Sequence, residues 1–201
     1  MSLLIKSKIA SFEQVNVMSS RVGLNKAASH GACHCISLNW LSLILRNPGQ
    51  AAKERMTELS RGDGKQNAIL QLAFGNRWAS DPEGMDTADQ LPLQNYRLKS
   101  NTVIPYQTFN PASVKGKFGG AGQGFVYSFW FDFVVAVQGA SGGAHSIAFY
   151  VNAHGGSLTA NVFDPNFGEF LVTGDEFLPL FAELMGQYGT GKAHRMAQIT
   201  A

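Results

Sequence analysis

With 201 residues, 45% of them hydrophobic and only 15% charged, the chain can bury one sizeable core and is too apolar to remain disordered. A formal net charge of +2, from basic residues scattered along the chain, leaves no electrostatic footprint for nucleic acid, and 22 glycines without a fixed period exclude collagen-like and solenoid folds. Cys33 and Cys35 are the only cysteines and sit too close for an unstrained bridge, so a disulfide scaffold is excluded.

Residues 1–30 read as a polar lead segment in which no element is predicted. It ends in the loop SSRVGLNKAASHGA. No apolar run reaches the ~18 residues of a membrane span, and the opening MSLLIKSKIA lacks the cleavage site of a secretory signal, so export by a Sec route is not expected. From Cys33 the pattern changes: Ile36, Trp40, Leu41, Ile44 and Leu45 recur at helical spacing until Asn47-Pro48-Gly49 closes the run. Two more helices are predicted over Ala51 to Leu59 and Lys65 to Phe74, with Gly62-Asp63-Gly64 as the turn between them. The Pro, Asp, Gly and Asn content of Trp78 to Ser100 reads as a long connection with room for a short helical turn, of the kind that often has a binding role. After the glycine-rich Gly116 to Gly124 comes an aromatic, β-branched strand from Phe125 to Gln138. Further strands are predicted at His145 to Asn152, Leu158 to Phe163, Glu169 to Val172 and Ala193 to Ile199, and a helix at Asp175 to Tyr188 is started by the Thr173-Gly174-Asp175 cap. Helices first and a meandering sheet second make an α+β fold, with residues 31–201 as a single domain.

The chemistry begins at Gly31-Ala-Cys-His-Cys-Ile-Ser37, where Cys33 opens a helix. Unpaired N–H groups and the positive dipole end favour a thiolate there, which is what a nucleophile needs. Cys35, two residues on, points elsewhere on the helix and reads as a small buried hydrophobe. Zinc is disfavoured even with His30 and His34 nearby, because C-x-C without a second cysteine pair is not structural-zinc spacing, and no cofactor or structural metal is expected. A cysteine nucleophile needs a base from distant sequence. His145 leads a strand after the glycine-rich residues 139–144; His154 looks like a hairpin residue, and His194 reads as a surface histidine on the last strand. Asp164 ends the following strand. A hairpin between the two strands brings the start of one beside the end of the other, so imidazole and carboxylate can meet, although Asp164-Pro165-Asn166 also fits a plain Asx turn.

These motifs resemble the YopT/AvrPphB family of bacterial effector cysteine proteases. Gly31-Ala-Cys33-His-Cys-Ile-Ser37-Leu-Asn-Trp40 is similar to the family's G-x-C-x-x-L-S-x-x-W nucleophile helix, with Ile36 in place of leucine. Ala144-His145-Ser-Ile-Ala148 is similar to its histidine strand, and Phe163-Asp164-Pro-Asn-Phe-Gly-Glu169-Phe to its aspartate turn. The resemblance implies a papain-like fold and a catalytic triad in which Cys33 attacks a carbonyl, His145 shuttles the proton and Asp164 orients the ring. For the oxyanion it implies the backbone N–H of Cys33 and a side-chain donor upstream, for which Asn25 and Ser29 are the candidates, with His30 also in reach. It further implies a host protein as substrate, a small GTPase or a kinase, and an effector delivered into the host cell by a non-Sec route. The same triad serves two alternatives: fatty acyl transfer to lysines of small GTPases, marked by an apolar tunnel, and a catalytically inactive binding module.

Overall fold

The structure, a computed structural model, describes residues 1–19, 31–61, 64–80, 84–137, 140–154 and 157–201. In chain order its elements are α1 (Leu3–Lys6), β1 (Lys8–Ala10), α2 (Gln14–Ser19), α3 (Cys33–Arg46), α4 (Ala52–Ser60), α5 (Gly64–Ser80), α6 (Met85–Ala88), α7 (Gln90–Tyr96), β2 (Lys99–Thr108), α8 (Ala112–Lys115), β3 (Gln123–Val137), β4 (Ala140–His154), β5 (Ser157–Asp164), β6 (Gly168–Thr173), α9 (Gly174–Met185) and β7 (Thr190–Thr200). Seven strands form one antiparallel sheet in the order β1-β6-β5-β4-β3-β7-β2.

Alternation along β3 and β4 divides the core between the two faces of this sheet. Phe125, Tyr127, Phe129, Ile147 and Phe149 face one side, where Phe177, Leu180, Phe181 and Leu184 of α9 cover them. Val126, Ala148, Phe163 and Ala197 face the other side and pack on Ile36, Trp40, Leu41 and Ile44 of α3. Trp40 stacks on Phe163 with ring centroids 5.3 Å apart. Helix α3 is buried on nearly all sides because α4, α5 and α7 close over the surface that the sheet leaves open.

Four parts of the fold differ from the sequence reading, each for a local reason. From Ala140 on, the glycine-rich residues read as a loop before His145 belong to β4, which pairs Gly142, Gly143 and Ala144 with β3, so His145 lies inside its strand and does not lead it. The lead segment supplies α1, the edge strand β1 and α2; strand β1 is three residues long, too short to leave a periodic signature. The connection read across Trp78 to Ser100 contains the end of α5, all of α6 and α7, and the start of β2. Pro92 is accommodated because it sits in the first turn of α7, where its missing N–H has no helical partner to lose. Strand β2 carries little hydrophobic alternation and a proline, Pro105, which suits the outer edge of the sheet.

Candidate active site

Helix α3 points its N-terminus at the end of the sheet where β5 stops. Strand β5 pairs with β4 from Ser157 opposite His154 up to Phe163 opposite Ala148, and ends at Asp164, so no β5 residue stands opposite His145. That missing stretch of β5 leaves room beside His145 for the tip of α3. Gln14 fixes this tip from α2: its Oε1 accepts the Ala32 N–H at 2.8 Å and its Nε2 donates to Asn166 Oδ1 at 2.6 Å. It thereby caps α3 and ties it to the turn that follows Asp164.

Three of the sequence-predicted residues come together here. His145 Nε2 lies 3.0 Å from Asp164 Oδ1, with both side chains buried. Since Nε2 is committed to the carboxylate, Nδ1 is the ring nitrogen left for the Cys33 thiol, which is hydrogen-bonded to His145 and to the backbone of Ser146. Burial alone would push the thiol up. The His145 charge and hydrogen bond, with the Ser146 backbone, outweigh it and hold Cys33 below the ordinary thiol range, against a smaller opposing push from Asp164. Burial likewise pulls His145 down, but the charges of Asp164 and Cys33 and their hydrogen bonds carry it up to about 10. Together these shifts favour a thiolate–imidazolium pair at neutral pH.

Asp164 also accepts the Asn166 N–H on Oδ1 at 2.8 Å, so the Asx turn and the histidine contact share one carboxylate. Tyr188, which follows α9, completes the cluster. Its ring stacks on His145 at 4.4 Å, and its hydroxyl donates to the Asp164 carboxylate from 2.8 and 2.7 Å while its oxygen lies 2.8 Å from His145 Nε2. Burial and the neighbouring carboxylate push the Tyr188 phenol up, so it stays a neutral donor that shields the pair from water. Nothing in its sequence context marked Tyr188, because its role depends on where the end of α9 lands.

Around the tip of α3 the backbone donors are largely spoken for. The Ala32 N–H goes to Gln14, the Cys35 N–H to Gln71 Oε1 at 3.0 Å, and the Ile36 N–H to the Ala32 carbonyl at 2.9 Å. The N–H groups of Cys33 and His34 have no hydrogen bond among the described residues and sit at the positive end of the helix. Asn25, Ser29 and His30 lie outside the described residues. A cavity of about 380 Å³ opens beside Cys33, lined by Gln71, Leu72, Phe74, Met85, Trp130 and His145 among others.

The other candidates fall elsewhere. Cys35 is buried in the core beneath α5, and burial raises its thiol well above the ordinary range, with Asp89 and Cys33 adding to the effect. His194, read as a surface histidine, is instead fully buried on β7, where Tyr127 Oη lies 3.0 Å from Nδ1, and burial lowers its pKa. A strand residue facing α9 is a core position whatever its polarity, which is why the default for a lone histidine failed. His154 closes β4 opposite Ser157. Among the described residues no group of three His, Cys, Asp or Glu side chains is arranged to hold a metal ion, and no helix is long and apolar enough to cross a membrane.

An antiparallel sheet covered by helices on both faces, with a cysteine at the tip of the buried helix facing a histidine and an aspartate on neighbouring strands, defines a papain-like α+β protein. The profile of the peptidase family described as the Yersinia/Haemophilus virulence surface antigen matches residues 132–200, which include His145 and Asp164. A YopT-like cysteine protease of Sinorhizobium fredii, y4zC, is 27% identical over 193 residues, 88% of this chain and 66% of that protein. The crystal structure of the Pseudomonas avirulence protein AvrPphB matches with a TM-score of 0.63 and 19% identity, covering 98% of this chain and 100% of that one. The chain is thus similar to the YopT/AvrPphB-like cysteine proteases whose motifs its sequence resembles, and it shares the fold of AvrPphB.

Proposed function

We propose that the chain is a thiol endopeptidase that cleaves a host protein through an acyl-enzyme, with Cys33 as nucleophile, His145 as acid and base, and Asp164 as the group that orients the ring. The observation that carries this reading is the Cys33 thiol hydrogen-bonded to an imidazole whose other nitrogen is held 3.0 Å from a buried carboxylate. The Cys33 thiolate attacks the scissile carbonyl, and the developing oxyanion is met by the helix-tip N–H groups of Cys33 and His34. His145, already protonated, gives its Nδ1 proton to the departing amine. It then takes a proton from water, and the resulting hydroxide equivalent attacks the thioester and frees Cys33. Asp164 and Tyr188 keep the ring in place throughout, so the histidine need not reorganise between the two steps.

The catalytic domain runs over residues 31–201, and the lead segment of residues 1–30 attaches to it where β1 pairs with β6. The substrate is a protein of the host cell, a small GTPase or a kinase, reached by delivery through a non-Sec route. Acyl transfer is disfavoured because the aromatic side chains that could line a lipid tunnel, Phe125, Tyr127 and Phe129, are packed against α9 in the core. The test is to incubate host-cell extract with the chain and label the new protein N-termini. Termini that arise with the parent chain and not with Cys33→Ala or His145→Ala support proteolysis. Lysine acylation without new termini, or identical termini from all three chains, overturns it.

A further inference from the structure

The residue after the nucleophile belongs to a second buried polar cluster that the mechanism above leaves unused. His34 is 1% exposed, stacks on Phe74 at 4.4 Å, and uses both ring nitrogens: Nε2 lies 2.5 Å from Asp89 Oδ1, and Nδ1 lies 3.1 Å from Ser146 Oγ. Asp89 in turn faces the Arg195 guanidinium at 3.3 Å, which also pairs with Asp86. Ser146 Oγ is 2.8 Å from Ser128 Oγ, and the Ser146 carbonyl accepts the Ser37 hydroxyl at 3.1 Å. Ser146, His34 and Asp89 thus repeat in outline the order of Cys33, His145 and Asp164, one residue further along both α3 and β4. The hydroxyl of Ser146 is shut in by Ser128 and His34, and the residue is 4% exposed, so it is no second nucleophile.

We propose that His34 and Asp89 are positioning residues: they clamp Ser146 to α3 and so fix the spacing between Cys33 and His145. The inference rests on the Cys33–His145 reading above. Two adjacent links join the same pair of elements. Cys33 meets His145, and directly behind it His34 meets Ser146, whose backbone also bonds the Cys33 sulfur. With Nε2–H donating to the Asp89 carboxylate, Nδ1 is the acceptor for the Ser146 hydroxyl, and Ser146 Oγ then accepts from Ser128. Arg195 answers the charge of the buried carboxylate, so the bonds run from β7 through the junction of α6 and α7 and through α3 to β4 and β3.

The test follows the pH profile of iodoacetamide alkylation of Cys33 in the full chain by mass spectrometry, a property that a merely structural residue would not move. Ser146→Ala and Asp89→Asn are expected to slow alkylation below neutral pH about fivefold, the worth of one buried hydrogen bond. Ser146→Thr, which keeps the hydroxyl, restores most of the rate. If Asp89→Asn unfolds the chain, Ser146→Ala, which removes one hydroxyl and no backbone group, carries the test alone. A Ser146→Ala profile superposable on the parent overturns the clamp, and the Cys33–His145 reading survives if His145→Ala still loses the fast thiol. A parent thiol no faster than an ordinary one and indifferent to His145→Ala overturns both. Reaction of a fluorophosphonate with Ser146 in the Cys33→Ala chain also overturns the clamp, since it would make Ser146 a nucleophile.

Discussion

A single carboxylate, Asp164, carries three hydrogen bonds: the Asn166 N–H of its own turn, the Nε2 of His145 and the hydroxyl of Tyr188. Asparagine at this position keeps an acceptor for the turn and loses the charge. The sign of the effect on pH dependence follows from the two shifts. The pair is reactive from the pH where Cys33 ionises, which lies below the ordinary thiol range, to the pH where His145 loses its proton, near 10. The Asp164 charge raises both groups, and raises His145 more, since its carboxylate is hydrogen-bonded to the ring at 3.0 Å and acts on the thiol by its charge alone. In Asp164→Asn the alkaline limb of kcat/KM is therefore expected to move to lower pH, while the acid limb moves slightly the same way or stays. The pH profile of peptide hydrolysis measures this, and an unchanged alkaline limb would remove Asp164 from the role assigned to it. At this scale the sequence could name Cys33 and Asp164 because each stands where its element begins or ends, and His145 by its motif, although it lies inside β4, five residues after the strand begins at Ala140. It could not name Tyr188 or Gln14, whose contacts arise only where α9 and α2 come to rest.

Between elements, the motif residues that perform no chemistry turn out to hold α3 to the sheet. Trp40 on α3 donates its indole N–H to Glu169 Oε2 at 2.9 Å. Arg55 on α4 pairs with both oxygens of the same carboxylate, one contact being Nε to Oε2 at 3.0 Å, and Asn161 on β5 donates to Oε1 at 2.8 Å. Glu169 is fully buried and Arg55 is 3% exposed, so neither can be replaced alone without stranding a charge. Glu169→Ala is expected to cost about 3–5 kcal/mol, read as a lowered urea midpoint, because it leaves Arg55 buried and unpaired. Gly168, one residue earlier, has φ of +106° and brings β6 so close to the lead segment that a Cβ there would lie 2.1 Å from the Ala10 carbonyl oxygen. The sequence made Gly168-Glu169 visible as part of a motif. The reason for the pair lay chiefly in contacts with Ala10, Trp40 and Arg55, each more than a hundred positions away.

For the molecule as a whole, the order β1-β6-β5-β4-β3-β7-β2 puts the two longest strands near the middle, covered by α3 on one face and α9 on the other. Amide hydrogen exchange is accordingly expected to be slowest along β3 and in β4 from His145 to Tyr150, and faster at the edges β1 and β2. Mass-resolved exchange on peptides from these strands checks it, and a fast-exchanging β3 would contradict the layered core. The sequence by itself determined the class of the fold and the identity of the central elements, since helical spacing in α3 and aromatic alternation in β3 are written into consecutive residues. It likewise set the order of cysteine, histidine and aspartate. The tertiary structure alone decided the rest. It set where β5 ends beside His145, put the tip of α3 against that end, buried His194, and paired His34 with Asp89. Each of these depends on the meeting of segments far apart in the chain, and local propensity carries no information about such distances.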